Sequence, residues 1–233
     1  LLLPWKRFAA GHPDLARGAV AFALAGEGDR RDIVMYTSPS LMGFTLSAAA
    51  GSDEFYDVAL RYAGEFGGIR VAAGIGYQAQ DQTLTQVIQL DTGARNIDNE
   101  WSASLALMHT ASGLFAQGHF ARSEFLNGTE ADFWMIQAGI TKNWTGMGNT
   151  SLYGEYGEAE DYIKAGAAGV VAGLPLAASN VDFYGIGVVQ QIDAAAMEVF
   201  LGWRRFETNV TGAGAGNGSS DLDLVHGGAR IRF

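Results

Sequence analysis

The chain has 233 residues, room for one large all-β domain or two average ones, with 32 Gly, 4 Pro and no Cys. Charged residues make up 17% and hydrophobic residues 48%, at a mean hydropathy of +0.06; this is too polar for a helical membrane protein and short of charge for a soluble one. A net charge of −10 speaks against nucleic acid, which calls for a basic footprint, and the lack of cysteine excludes zinc ribbons, redox pairs and disulfide staples.

The chain begins "LLLPWKRFAAGHPDLARG", with no initiator Met and no n-region leading to a cleavage site. The expectation is a mature protein or a fragment. Residues 31–37 and 42–50 read as the first strands. "YDVALRY" follows, with Tyr56, Val58, Leu60 and Tyr62 on one face and Asp57, Ala59, Arg61 and Ala63 on the other. After the tight "FGG" turn, "GIRVAAGIGYQ" puts Ile69, Val71, Ala73, Ile75 and Tyr77 on one side. Arg70, Ala72, Gly74, Gly76 and Gln78 take the other.

Further strands are expected at 101–110, 114–122, 133–142, 149–158, 181–191, 196–206 and 222–233. "VDFYGIGVVQQI" has large residues on both faces and alternation alone does not orient it. The apolar run "AGAAGVVAGLPLAA", 165–178, falls short of the roughly 18 residues of a transmembrane helix and contains Pro175. The last stretch, "VHGGARIRF", alternates to Phe233, with Val225, Gly227, Ala229 and Ile231 opposite His226, Gly228, Arg230 and Arg232.

The connections fall into two classes. Short ones lie near 38–41, 66–68, 111–113, 143–148 and 192–195; the others lie near 51–54, 80–100, 123–132, 159–180 and 207–221. The classes alternate along the chain, as the tight turns and longer loops on the two rims of an outer-membrane barrel do. Ten residues at about 3.3 Å each, tilted near 40°, span roughly 25 Å, the height of such a barrel's apolar band. Aromatics sit near strand ends, at Tyr56, Tyr62, Tyr77, Trp101, Trp134, Tyr156, Trp203 and Phe233, as interfacial girdles do; aromatics also favour strands in general. The fold expected is an all-β, antiparallel, up-and-down transmembrane barrel. Eleven strands are counted from residue 31. Bacterial single-chain barrels use even numbers, so either "GAVAFALA", 18–25, adds a twelfth or strands lie before residue 1.

The inward faces hold Asp57, Arg61, Arg70, Gln78, Gln117, His119, Gln137, Glu155, Glu198, Arg204, His226, Arg230 and Arg232. A polar wall carrying both signs of charge suits a water-filled channel; ion pairs filling a narrow, plugged barrel are the alternative. "GEGDRRD", 26–32, has the composition of a constriction. Glu27 and Asp29, with Asp32, facing wall arginines would set a transverse field across a pore; an exposed polar turn explains the same composition.

"RRDIVMYTSPSLMGFTLSAAAG", "YDVALRYAGEFGGIRVAAGIGY", "QIDAAAMEVFLGWRRFE" and "GGARIRF" together resemble porins of the alphaproteobacterial outer membrane. The resemblance covers most of the chain from Arg30 onward and rests on strand patterns. It implies a sixteen-stranded general diffusion porin, a homotrimer in the outer membrane with lipid and lipopolysaccharide around it. It also implies a third loop folded into the pore. Residues 1–30 would be the end of that loop, and 31–233 the barrel strands down to the terminal Phe.

Other motifs are weak. "DTG", 91–93, is half of an aspartic protease dyad without a second copy, and "GAGAGNG", 212–218, lacks the Lys and helix of a phosphate loop. His12, His109, His119 and His226 show no metal spacing. His109 and Ser112 raise a barrel lipase as an enzymatic rival, without a third member. No cofactor is expected, although Asp91, Asp98 and Glu100 at the outer loops would suit a divalent cation such as calcium. The reading is a non-enzymatic porin passing small hydrophilic solutes and ions, with a plugged adhesin-type barrel as the other rival.

Overall fold

The computed structural model describes residues 32–51, 54–79, 97–125, 128–161, 170–171, 174–212 and 216–231. They form one antiparallel sheet in which each long strand pairs with the next. The strands are β1 (Ile33–Thr37), β2 (Phe44–Gly51), β3 (Tyr56–Phe66), β4 (Ile69–Ala79), β5 (Ile97–His109) and β6 (Leu114–Phe125). They continue with β7 (Glu130–Lys142), β8 (Thr150–Glu160), a two-residue β9 (Val170–Val171), β10 (Leu174–Ile192), β11 (Met197–Gly212) and β12 (Gly216–Ile231). β9 pairs only with the start of β10, so the main path runs from β1 to β12 through eleven strands. A 3-10 turn at Asp193–Ala195 joins β10 to β11. No helix among the described residues is long and apolar enough to cross a membrane, which says nothing of strands.

The register sorts side chains onto two faces. The outer face carries Phe44, Leu46, Tyr56, Val58, Leu60, Ile75, Tyr77, Leu105, Leu107, Ile136, Leu152, Ile186, Leu201 and Val225, all exposed. Exposed apolar groups of this number do not occur on an ordinary water-facing surface. The inner face is the less accessible one. Its buried members include Ser47, Gln137, Glu155 and Glu198.

On the outer face the chemistry changes abruptly toward one rim. Phe120 is followed by Arg122, Tyr156 by Glu158 and Trp203 by Arg205, while Trp134 is preceded by Asp132 and Tyr184 by Asp182. Aromatic pairs mark this border across successive strands: Tyr56 with Tyr77 at 6.1 Å, Trp101 with Phe120 at 4.8 Å, Trp134 with Tyr156 at 5.4 Å and Tyr184 with Trp203 at 5.9 Å between centroids. Three of these rings donate to a carboxylate on the next strand. Trp134 Nε1 reaches Glu158, Tyr156 OH reaches Asp182 and Tyr184 OH reaches Glu207, each at 3.2 Å. At the opposite rim Phe44 packs on Tyr62 at 4.7 Å, and Tyr62 stacks on Phe66 at 6.2 Å.

Two expectations are corrected. Several strands run further toward the charged rim than alternation showed: β10 starts at Leu174, β11 ends at Gly212 and β12 starts at Gly216. The expected loops 123–132 and 207–221 are therefore mostly ladder. Thr208 pairs with Ser220, and Glu124 with Glu130. Hydrophobic alternation fades there because the outward residues turn polar, yet the backbone ladder does not depend on side-chain polarity. The sorting of loops by length accordingly rests on fewer loops than the sequence indicated.

The inner wall is also less uniformly polar than expected. Ala121, Phe125, Ala131, Phe133, Met135, Ala159, Val181, Phe183 and Phe206 form a buried apolar cluster there. It spans strands β6 to β11, on the half toward the charged rim. Phe183 lies between Phe133 at 6.0 Å and Phe206 at 5.9 Å.

Candidate functional site: the inner wall

The register brings the polar inner residues into cross-strand rows. One row runs Ala106, Gln117, Gln137, Glu155, Gly185, Arg204 and Leu224. Gln117 Nε2 donates to Gln137 Oε1, and Gln137 Nε2 donates to Glu155 Oε2 at 3.3 Å. Arg204 Nε and Nη2 both reach Glu155 Oε1 at 2.7 Å. The Arg204 guanidinium also lies 5.1 Å from the Phe183 ring and 5.7 Å from the Phe206 ring, a cation–π arrangement.

Arg204 sits on β11 and Glu155 on β8, with β10 between them. The bridge is possible because β10 presents Gly185 at that level. A Cβ there would lie 3.0 Å from Glu155 Oε1 and 2.6 Å from the Trp203 carbonyl oxygen. Other inner glycines play the same spatial role. The Phe183 ring lies over Gly157, the Tyr153 ring over Gly187 and the His226 ring over Gly202. Large side chains thus lie flat along the wall instead of projecting from it.

The described charged residues among those expected on this wall fall on one face, but their environments differ. Arg70 Nε is 2.9 Å from Glu65 Oε2, near the short-turn rim. Arg230 is 3.8 Å from Glu198. Arg61 Nη2 donates to Ser47 Oγ at 2.6 Å. Asp57 sits on the inner face of β3, opposite Ala49 and Gln78. Asp32 is exposed just before β1. Glu27, Asp29, Arg232, Phe233, His12 and Asp91 lie outside the described residues. The expected constriction at 26–32 is therefore described only at Asp32.

Alternation found the inner face of most strands, though not of β10, and missed the row, which depends on long-range register. It also missed Tyr184, whose outward orientation is set by pairing with Tyr156 and Arg205. Glu100 is buried and accepts a hydrogen bond from Ser123 Oγ. Asp98, Glu124, Phe125, Gly128 and Glu130 line an open depression at the charged rim. Among the described residues no group of three or more His, Cys, Asp or Glu is placed to hold a metal ion. His109 Nδ1 is 2.8 Å from Ser112 Oγ, which also accepts from the Leu114 amide at 3.2 Å. This geometry closes the β5–β6 turn, and among the described residues no carboxylate pairs with His109.

The sequence matches no family model and no curated protein. Among solved structures, the chain is similar to the outer-membrane expressed OmpT of Vibrio cholerae. The identity is 16% and the TM-score 0.52, over 86% of this chain and 65% of that one. It is also similar to the anion-selective porin from Comamonas acidovorans, at 12% identity and a TM-score of 0.46, over 84% of this chain and 59% of that one. The chain spans less than two thirds of the length of either protein. The Vibrio cholerae likeness shows the fold: the eleven-strand meander is the wall of an outer-membrane-type β-barrel.

Proposed function

We propose that this chain forms the wall of a porin-type channel in a bacterial outer membrane, through which small hydrophilic solutes and ions diffuse passively. The supporting observation is the division of the sheet into two chemically distinct faces. Between its aromatic borders the outer face of β2 to β12 carries apolar side chains, from Leu46 and Leu60 to Ile186 and Leu201. The inner face carries Arg61, Arg70, Gln117, Gln137, Glu155 and Arg204. An apolar exterior meets hydrocarbon, whereas the exposed interior charges of both signs, Arg61, Arg70 and Glu65, are stable against water. The strand patterns support a place among alphaproteobacterial general porins, with their sixteen strands and homotrimer, and with lipopolysaccharide and divalent cations such as calcium at the charged rim. Glu27, Asp29 and Asp32 are the proposed constriction carboxylates. No turnover and no cofactor enter the mechanism.

Purified protein added to a planar lipid bilayer should give stable, stepwise, ohmic current increments. Insertion without steady current would favour the plugged, adhesin-type barrel. Phospholipid hydrolysis that disappears on changing His109→Ala or Ser112→Ala would replace the channel reading with an enzymatic one.

A further inference from the structure

We infer that Arg61 is a local anion-attracting point on the channel wall and opposes the chain's overall negative charge. This rests on the porin reading above. The inward arginines among the described residues are not equivalent. Arg70, Arg204 and Arg230 each have a carboxylate oxygen within 4.0 Å, at 2.9, 2.7 and 3.8 Å. Their charge is compensated locally. Among the described residues Arg61 has no such partner; its described hydrogen bond goes to the neutral hydroxyl of Ser47.

The ladder neighbours of Arg61 give it no ion pair. Its partners across the ladders are Thr45 on β2 and Gly74 on β4. The inner positions beside those are Ser47, Ala72, Gly76 and, one strand further, Ser104. None carries charge. Along β3, Asp57 lies within electrostatic reach of Arg61 but makes no ion pair with it; Glu65 lies four residues away on the other side, about 13 Å of strand. Glu65 is already held by Arg70.

The same neighbours keep Arg61 accessible. A Cβ on Gly74 would meet only Ser104 Oγ at 3.5 Å and the Arg61 stem at 3.7 Å as its nearest atoms. Arg61 is exposed, whereas the apolar cluster of β6 to β11 is buried. An anion moving along the β2–β5 wall therefore meets an exposed guanidinium that no carboxylate ion-pairs, with Thr45, Ser47 and Gly74 as its nearest ladder neighbours. Arg61 and the Ser47 and Ser104 hydroxyls offer N–H and O–H donors, so the favoured class is small anions, chloride and short carboxylates. Net charge does not decide pore selectivity; the local potential along the path does.

The test is the reversal potential of single channels in a potassium chloride gradient. Wild-type protein, Arg61→Ala, Arg61→Lys and Arg122→Ala are compared; Arg122 is an outer-face arginine paired with Asp132 at 2.6 Å. Arg61→Ala should lower the chloride-to-potassium permeability ratio by roughly five-fold to thirty-fold, since one unit charge at about 4 Å in water is about 1 kcal/mol and acts with opposite sign on the two ions, with Asp57 reducing the effect below the upper figure. Arg61→Lys should retain most of the preference, and Arg122→Ala should behave as wild type. Normal conductance with an unchanged ratio in Arg61→Ala, or an equal shift in Arg122→Ala, overturns the inference and leaves the channel reading standing. Absence of conductance in the wild type overturns both.

Discussion

Arg204 on β11 reaches Glu155 on β8 across an intervening strand, with two guanidinium nitrogens each 2.7 Å from one carboxylate oxygen. The Glu155 side chain is 4% exposed and that of Arg204 21%, so the pair is largely withdrawn from water. Removing one partner of a buried pair leaves an uncompensated charge and costs about 3–5 kcal/mol. We expect Glu155→Ala to lose stability of that order in urea unfolding from lipid vesicles. An unchanged midpoint would show that solvent screens the pair.

Gly185 should be as important as the charges it separates. Gly185→Val would place atoms against Glu155 Oε1 and the Trp203 carbonyl oxygen, at the 3.0 and 2.6 Å positions of its Cβ. The expected outcome is non-additivity. In a Gly185→Val background, Glu155→Ala should cost far less than it does alone, because the bridge is already broken. Additive losses would mean that Arg204 finds Glu155 by another route.

The two faces should respond oppositely to the same charge. Ile186 is 64% exposed on the outer face, and Ile186→Lys should cost about 2–4 kcal/mol if it sits near the bilayer midplane. Ala106→Lys, on the inner face beside Gln117, should stay within about 1 kcal/mol. Folded fractions in vesicles at a series of urea concentrations report both. Equal tolerance at the two sites would contradict the face assignment.

The aromatic border should sit at headgroup depth. Variants keeping only Trp134 or only Trp203 should be quenched more by lipids brominated close to the headgroup than by lipids brominated at the chain ends. The reverse order would move the border into the bilayer centre.

The β5–β6 turn supplies a local test. Gly113 has φ +75°, and a Cβ there would lie 2.0 Å from the Thr141 carbonyl oxygen. Gly113→Ala should therefore cost more than the roughly 1–3 kcal/mol of backbone strain alone, read from the same urea titration.

Much of this wall was legible in the sequence because one periodicity carries both fold and facing. Tyr56, Val58, Leu60 and Tyr62 alternate with Asp57 and Arg61 as the register requires. Legibility failed where the two faces stopped differing in polarity. On β10, Val181 and Phe183 point inward into the apolar cluster while Asp182 points outward above Tyr184. The pattern inverts along one strand, and no local window resolves that. The Arg204–Glu155 bridge was hidden for another reason: its partners are 49 residues apart, and only the pairing of three strands makes them neighbours.

The number of strands in the main path has a directional consequence. Antiparallel neighbours reverse at every step, so with eleven members β1 and β12 point the same way. Zipped edge to edge they would form a parallel seam, unlike every other junction in the wall. A seam-free antiparallel ring takes an odd number of strands between these two edges. For an antiparallel ring through both edges, a lone strand between them satisfies the polarity of each, whereas a single hairpin satisfies one and frustrates the other.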